Sequence, residues 1–334
     1  MPARMGTRWA PDGLVIAGRC GDDLAARLSF STGDPTEKDI IMDLDPAGFP
    51  SNWGRWGDTD QLGTVNLITA EARARGAAQV RTGSAVSLAR ETPTAPLMGG
   101  PAAALQADST GVQTIMSFTG SPPLAMAELM LVTTHHPEVT HLDAVSHMVM
   151  DGQVYPGIAQ VESSGPAGVT HGAADVFADG IVTRGVLLDL APDGKLPDGH
   201  AVTADDLEAA EEREGVVVQS GDALVVRAGW DRVPDHGRAL PGMTSGAVRW
   251  MHDRGIAVYA GDIGDASPPL KDDVPGALHR LGLGRLGLVL VDGARSEELV
   301  AVCEEQSRYT FLFVAAVPRI LGTTGLPVNP LAIF

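Results

Sequence analysis

The stretch Asp222–Asp262 opens with DALVVRAGW (Asp222–Trp230) and closes with TSGAVRWMHDRGIAVYAGD (Thr244–Asp262). It reads as strand, helix, strand. Asp222–Trp230 is a β-branched, apolar run, Thr244–Arg254 is helical and stops at Gly255, and Ile256–Asp262 is a second strand. The same alternation extends outward on both sides. Upstream, Thr183–Leu190 reads as a strand, and Thr203 caps a helix that runs through Glu214 to a stop at Gly215. The hydroxyl of Thr203 accepts a free first-turn amide there, and Asp205 and Asp206 suit the positive helix end. Downstream, Val274–Leu281 reads as a short helix, Leu286–Asp292 as a strand, Ser296–Cys303 as a helix and Thr310–Val317 as a last strand. Such alternation predicts an α/β fold with a mixed sheet packed by helices. No repeat or low-complexity linker breaks it, so residues 49–334 are expected to form a single main domain. Residues 1–48 lack clear periodicity and read as an N-terminal arm or extension.

Composition narrows the function. Hydrophobic residues make up 44% of the 334 and aromatics 4%, so the interior must be built chiefly from Val, Leu, Ile and Ala. A formal net charge of -18 repels phosphate backbones and anionic lipid, which argues against nucleic acid and membrane partners and leaves a small molecule as the expected one. The apolar runs Phe311–Val317 and Leu286–Val291 fall far short of the roughly 20 residues that cross a bilayer. No secretory signal is evident, and a cytoplasmic location is the expectation. The two cysteines, Cys20 and Cys303, are too few for a disulfide framework or a cysteine-based zinc site. Any metal must use histidine and carboxylate.

The chemistry concentrates in THHPEVTHLDAVSH, Thr134–His147. A catalytic divalent ion needs neutral imidazoles and a carboxylate converging at about 2.0–2.2 Å, with one position left for water. His141 and Asp143 supply such a pair. Their spacing of two puts both on one face of an extended strand, while Leu142 turns the other way into apolar packing.

Thr140–His147, with Asp151-Gly152 and Tyr155-Pro156-Gly157 after it, resembles the His-x-Gly-Thr-His-x-Asp-x-x-x-His motif of the cyclase family, which includes kynurenine formamidase-like and isatin hydrolase-like metal-dependent hydrolases. Asn52–Gly57, Leu62–Leu67, Thr183–Asp189, Gly221–Arg227 and Gly325–Pro330 resemble further family segments. The resemblance covers roughly Asn52 to Phe334. It implies a swivelling β/β/α fold, a dimer or tetramer, and a zinc or manganese ion held by His141, Asp143, His279 and Asp292, with His147 moving protons. It also implies hydrolysis of an amide, lactam, lactone or N-formyl group by a metal-activated water.

Two positions depart from the motif. Asp292 stands where the family commonly has Glu, and Pro137 stands where the motif has its first histidine. His136 is one residue early and faces the wrong way in a regular strand unless a bulge at Pro137-Glu138 turns it, and Glu138 is the other candidate substitute. These departures motivate two rival readings: a metal-independent cyclase or dehydratase on the same fold, and a non-catalytic small-molecule-binding homologue.

Other features carry less. Gly282-Leu283-Gly284-Arg285-Leu286-Gly287 has the spacing of a dinucleotide fingerprint, but it precedes a strand instead of following one, and it reads as a turn. Asp262 and Asp265 follow a strand and either orient substrate or shape a bend. Trp53 and Trp56 either line a pocket or anchor packing, and packing is the preferred reading.

Overall fold

Strands read from continuous apolar runs, not from alternation, belong in the middle of a sheet covered on both faces. In the computed structural model, which describes residues 48–97, 110–230 and 238–334, that is where they lie. Apart from Gly48, the expected arm at residues 1–48 lies outside the described residues. The principal strands, in chain order, are β1 (Ala85–Ser87), β2 (Thr94–Pro96), β3 (Val112–Thr119), β4 (Ala125–Val132), β5 (His141–Asp143) and β6 (Ile181–Asp189). They continue with β7 (Ala223–Arg227), β8 (Val258–Gly261), β9 (Val289–Asp292), β10 (Thr310–Ala315), β11 (Gly325–Pro327) and β12 (Leu331–Ile333). Nine of them form one sheet, ordered β1-β12-β10-β6-β7-β8-β9-β5-β11. Its centre, β6 to β9, is parallel. Both flanks are antiparallel. Strands β2, β3 and β4 form a separate small sheet.

Helices connect and cover the parallel strands. Between β6 and β7 runs α2 (Ala204–Glu214), preceded in the chain by α1 (Ala70–Ala77). Thr203 and Asp206 cap α2 reciprocally, and Gly215 at φ 64° ends it, a conformation that costs glycine nothing. Between β7 and β8 runs α3 (Ser245–Arg254), ended by Gly255 at φ 70°. After β9 comes α4 (Glu297–Gln306). Leu207 and Ala210 of α2, with Ala247, Val248 and Met251 of α3, are buried against the sheet in one continuous core. Helix α1 lies on β6 so closely that a Cβ at Gly76 would sit 2.5 Å from the Thr183 carbonyl carbon. A buried ion pair joins the starts of β6 and β7: Arg184 Nε donates to Asp222 Oδ1 at 3.1 Å. Among the described residues no helix is long and apolar enough to cross a membrane.

One expected element differs. In place of a short helix at Val274–Leu281 and a turn at Gly282–Gly287, a single wide helix spans Leu278–Leu286 and ends at Gly287, φ 64°. Glycine disfavours helix by local propensity, but Gly284 packs closely here: a Cβ there would lie 2.7 Å from Met150 Sδ, so that side chain would have to shift. The glycine-rich run leads into β9, the reverse of a dinucleotide-binding loop.

Leu142 is fully buried in the core at the middle of β5. Leu142→Ala is expected to cost about 2–5 kcal/mol of unfolding free energy, read from the shift in denaturant midpoint. A loss well under that range would mean β5 is not anchored through this side chain.

Candidate metal centre

Strand β5 is three residues long and is wedged between β9 and β11, so its two polar side chains are delivered to one face at a set position. The register places His141 opposite Asp292, at the C-terminal end of the parallel strand β9. The turn after the neighbouring parallel strand β8 carries Asp262 and Asp265, as expected where ligand-facing loops of such sheets lie. The wide helix adds His279. The turn between β4 and β5 adds His135, and the chain just past β5 adds His147.

Asp143 lies at the centre of this group. It is completely buried, and neither carboxylate oxygen has a hydrogen-bond partner among the described residues. Imidazoles surround it instead. His135 Nδ1 is 2.8 Å and His141 Nε2 3.4 Å from Oδ1, and His279 Nε2 is 3.4 Å from Oδ2. The His135 approach is short but lacks the alignment of a hydrogen bond. His279 Nε2 is also 3.6 Å from Asp292 Oδ2. His147 stacks on His135, with ring centroids 3.8 Å apart and planes 8° off parallel.

The outward nitrogens are fastened. His141 Nδ1 donates to the Val139 carbonyl at 2.8 Å, which leaves Nε2 bare and facing Asp143. His279 Nδ1 donates to Asp265 Oδ2 at 2.7 Å, which leaves its Nε2 facing Asp143 and Asp292. This is how metal-binding imidazoles are commonly held: the outer N–H fixes ring and tautomer while the inner lone pair points to the ion. His141, Asp143 and Asp292 offer ligand atoms within 4.8 Å of one another, and so do His135, Asp143 and His147.

Charge follows the same arrangement. Burial alone would raise the Asp143 pKa, but His135, His279, His141 and His147 outweigh it and hold the carboxyl well below the usual carboxylate range. Burial likewise opposes protonation of His279, yet Asp143, Asp265 and Asp292 push its pKa up to about 11. Burial brings His147 down to about 4, against the pull of Asp143, so that ring is neutral at physiological pH. Three carboxylates, those of Asp143, Asp265 and Asp292, lie within 4 Å of His279.

His141, Asp143, His147, His279 and Asp292 therefore meet, although they span 152 positions of the chain. His136 does not join them. Its Nδ1 accepts the Glu138 backbone N–H at 3.2 Å, and Glu138 Oε2 lies nearer to it, at 3.8 Å, than to the cluster's histidines. His135 enters instead. The segment around Pro137 is a turn, where the alternation of a strand does not apply, and the pair His135-His136 was the only trace of this in the sequence. Asp265, read as a bend or substrate contact, orients His279. Asp262 accepts the backbone N–H groups of Ala228 and Trp230, at 2.8 and 3.0 Å, and so ties the ends of β7 and β8 together. Its carboxyl, pushed up to about 6 by burial, still borders the cavity at the cluster. Trp53 borders no such cavity: its indole N–H donates to the Gly284 carbonyl at 3.0 Å, and its ring covers Gly157. It is a packing anchor.

A cavity of about 190 Å³ opens on the cluster, bordered by His135, His141, Asp292, Asp265, Trp230 and Leu240. A second, of about 300 Å³, adjoins it through Trp230 and Asp262.

A family model described as "Putative cyclase" matches residues 57–266. That span includes His135, His141, Asp143, His147 and Asp265, whereas His279 and Asp292 lie beyond it. A crystal structure described as a novel cyclase is similar at 28% identity and a TM-score of 0.73, over 87% of this chain and 99% of that one. An isatin hydrolase bound to the product analogue thioisatinate has a similar fold at 17% identity and a TM-score of 0.51, over 79% of this chain and 98% of that one. No curated protein matches.

Protonation of His279 predicts a pH signature in metal-free protein. Its pKa rises on folding from the usual 6.5 to about 11, so its stabilising contribution is fully present below pH 6.5 and is lost as pH climbs through 11. Between these limits the denaturation midpoint of the wild type is expected to fall toward that of His279→Gln. Parallel curves would remove His279 from the charge balance.

Proposed function

The chain belongs to the cyclase family, and from that membership we propose that it is a metal-dependent hydrolase of small amides, lactams, lactones or N-formyl compounds. One observation carries this reading: a carboxylate, Asp143, is wholly buried with neither oxygen hydrogen-bonded and imidazole nitrogens aimed at it from three sides. A buried charge so placed is strongly unfavourable unless a cation joins it. A donor set of imidazole and carboxylate, without thiolate, suits zinc or manganese.

His141, Asp143 and Asp292 would hold the ion, with His279 and His135 on either side of Asp143. Bound there, a divalent ion supplies the charge that acidifies a water and polarises a carbonyl. The residues do the rest. His147, neutral because burial depresses its pKa to about 4, accepts a proton at its imidazole nitrogen and returns it to the departing nitrogen or oxygen. His135, stacked on it, limits the orientations that the ring can take. Asp265 fixes the tautomer of His279. Trp230, Leu240 and Ile263 supply apolar wall, and the cavity of about 190 Å³ suits a small ring or acyl group.

Metal analysis of the purified protein is expected to return zinc or manganese, with activity lost to chelator. Isatin, N-formylkynurenine and simple lactones are suitable substrates for the first screen. Protein without either metal, and indifferent to chelator, would leave the reading untenable. Asp265→Asn is expected to weaken metal binding about 10- to 100-fold, measured by competition with a chelating dye. His147→Ala should keep its metal and lose about 10²- to 10⁴-fold in turnover. Undiminished activity in that variant would exclude His147 from proton transfer.

A further inference from the structure

Pro137, which interrupts the motif, has no metal-binding atom in its side chain, yet the turn it lies in is held by the chain between β1 and β2. Arg90 Nη1 donates to the Pro137 carbonyl at 2.7 Å, and Thr92 Oγ1 donates to the Glu138 carbonyl at 2.8 Å. Within the turn, the His136 N–H donates to the Thr133 carbonyl and the Val139 N–H to the His136 carbonyl. Fixed in this way, the turn directs His135 at Asp143 and His136 at Glu138. A second element receives the His135 ring. Thr324 immediately precedes β11, where Gly325 is in register with Asp143, and the Thr324 carbonyl accepts the Ala144 N–H at 2.9 Å. The Thr324 hydroxyl oxygen lies 3.0 Å from His135 Nε2. Gly325 leaves room for the ring: a Cβ there would sit 2.7 Å from His135 Cε1 and 2.7 Å from the Leu142 carbonyl oxygen, and that backbone atom cannot give way. His135 is therefore stacked on His147, set edge-on to His141 with centroids 5.0 Å apart, and fastened at its far nitrogen.

We infer that His135 supplies the metal-binding imidazole that Pro137 cannot, and that Thr324 is the positioning residue that sets which of its nitrogens faces the ion. The inference rests on the metal-dependent reading above. His135 Nδ1 lies 2.8 Å from Asp143 Oδ1, yet the two are not aligned as a hydrogen bond. Neighbouring ligand atoms at about 2.0–2.2 Å from one divalent ion stand about 2.8–3.6 Å apart, with their lone pairs directed at the ion and not at each other. The pair fits that spacing. His135 also borders the cavity of about 190 Å³, so its near nitrogen is on the side from which a substrate reaches the cluster. Thr324 Oγ1 accepts the Nε2 proton of His135, which leaves a lone pair on Nδ1, as the Val139 carbonyl leaves one on Nε2 of His141. The displaced ligand thus comes with its own support, drawn from a residue 189 positions away.

Affinity for zinc and for manganese, measured on the full chain by competition with a chelating dye and without substrate, tests this. Thr324→Val keeps the shape of threonine and loses the hydroxyl, and it is expected to weaken zinc binding about 10- to 100-fold, with Thr324→Ser restoring it. His135→Ala should weaken binding at least as much, whereas His136→Ala should bind as the wild type does. Imidazole ¹⁵N spectra of the wild type give a second readout: His135 should carry its proton on Nε2, and its Nδ1 resonance should move when zinc is added. Unchanged metal binding in folded Thr324→Val or His135→Ala overturns the inference and leaves the metal-dependent reading standing, as does a His135 that keeps its proton on Nδ1 with zinc present. Protein that binds zinc through His135 but hydrolyses nothing sinks only the hydrolase reading, and a wild type that takes up neither metal overturns both. If the variants do not fold, the wild-type ¹⁵N spectra decide.

Discussion

Asp143 is a charge in the core, and the arrangement around it follows from the need to compensate that charge. The carboxylate sits at the end of a three-residue strand with no exposed surface and no hydrogen-bond donor of its own. Burying an isolated carboxylate would cost several kcal/mol, so the surrounding chain must supply positive charge. It does so through His279, whose pKa rises to about 11, while imidazoles from a turn, the strand itself and the segment after it crowd around the carboxylate. Each ring contributes a nitrogen and little bulk. Asp292 and Asp265 add two more carboxylates, both within 4 Å of His279.

The sheet makes this convergence possible. Parallel strands β6 to β9 end on one side, and their loops gather Asp262, Asp265 and Asp292 there. β5 enters antiparallel beside β9, which brings His141 level with Asp292. Asp262 then acts as a clamp, spending both oxygens on backbone amides after β7 to hold the rim in shape. A close contact that only glycine permits, Gly76 against the backbone of β6, brings α1 near enough to fix its position on the sheet, and Gly284 lies close against the Met150 side chain.

Much of the fold was legible because local rules and tertiary packing agree. Helix α2 begins at a Thr203 cap and ends at Gly215 as its sequence implies, and α3 ends at Gly255. The wide helix at Leu278–Leu286 was not legible, because glycine preference argues for a turn and only packing against Met150 argues for a helix. At the site, the spacing of His141 and Asp143 implied a shared face, and the strand provides it. His135 was not legible beside His136 and Glu138 for the opposite reason: strand alternation does not hold in this segment, which forms a turn.

The sequence by itself determined the α/β alternation, the strand-borne pair His141 and Asp143, and the resemblance that marked His279, Asp292 and His147. Each depends on residue type and short-range spacing. Tertiary structure alone decided that His135 faces Asp143, that Asp265 holds His279, that Asp262 binds backbone and that Trp53 packs against Gly157. Those outcomes depend on where turns and helix ends bring residues far apart in the chain, and a distance through space leaves no mark in local sequence order.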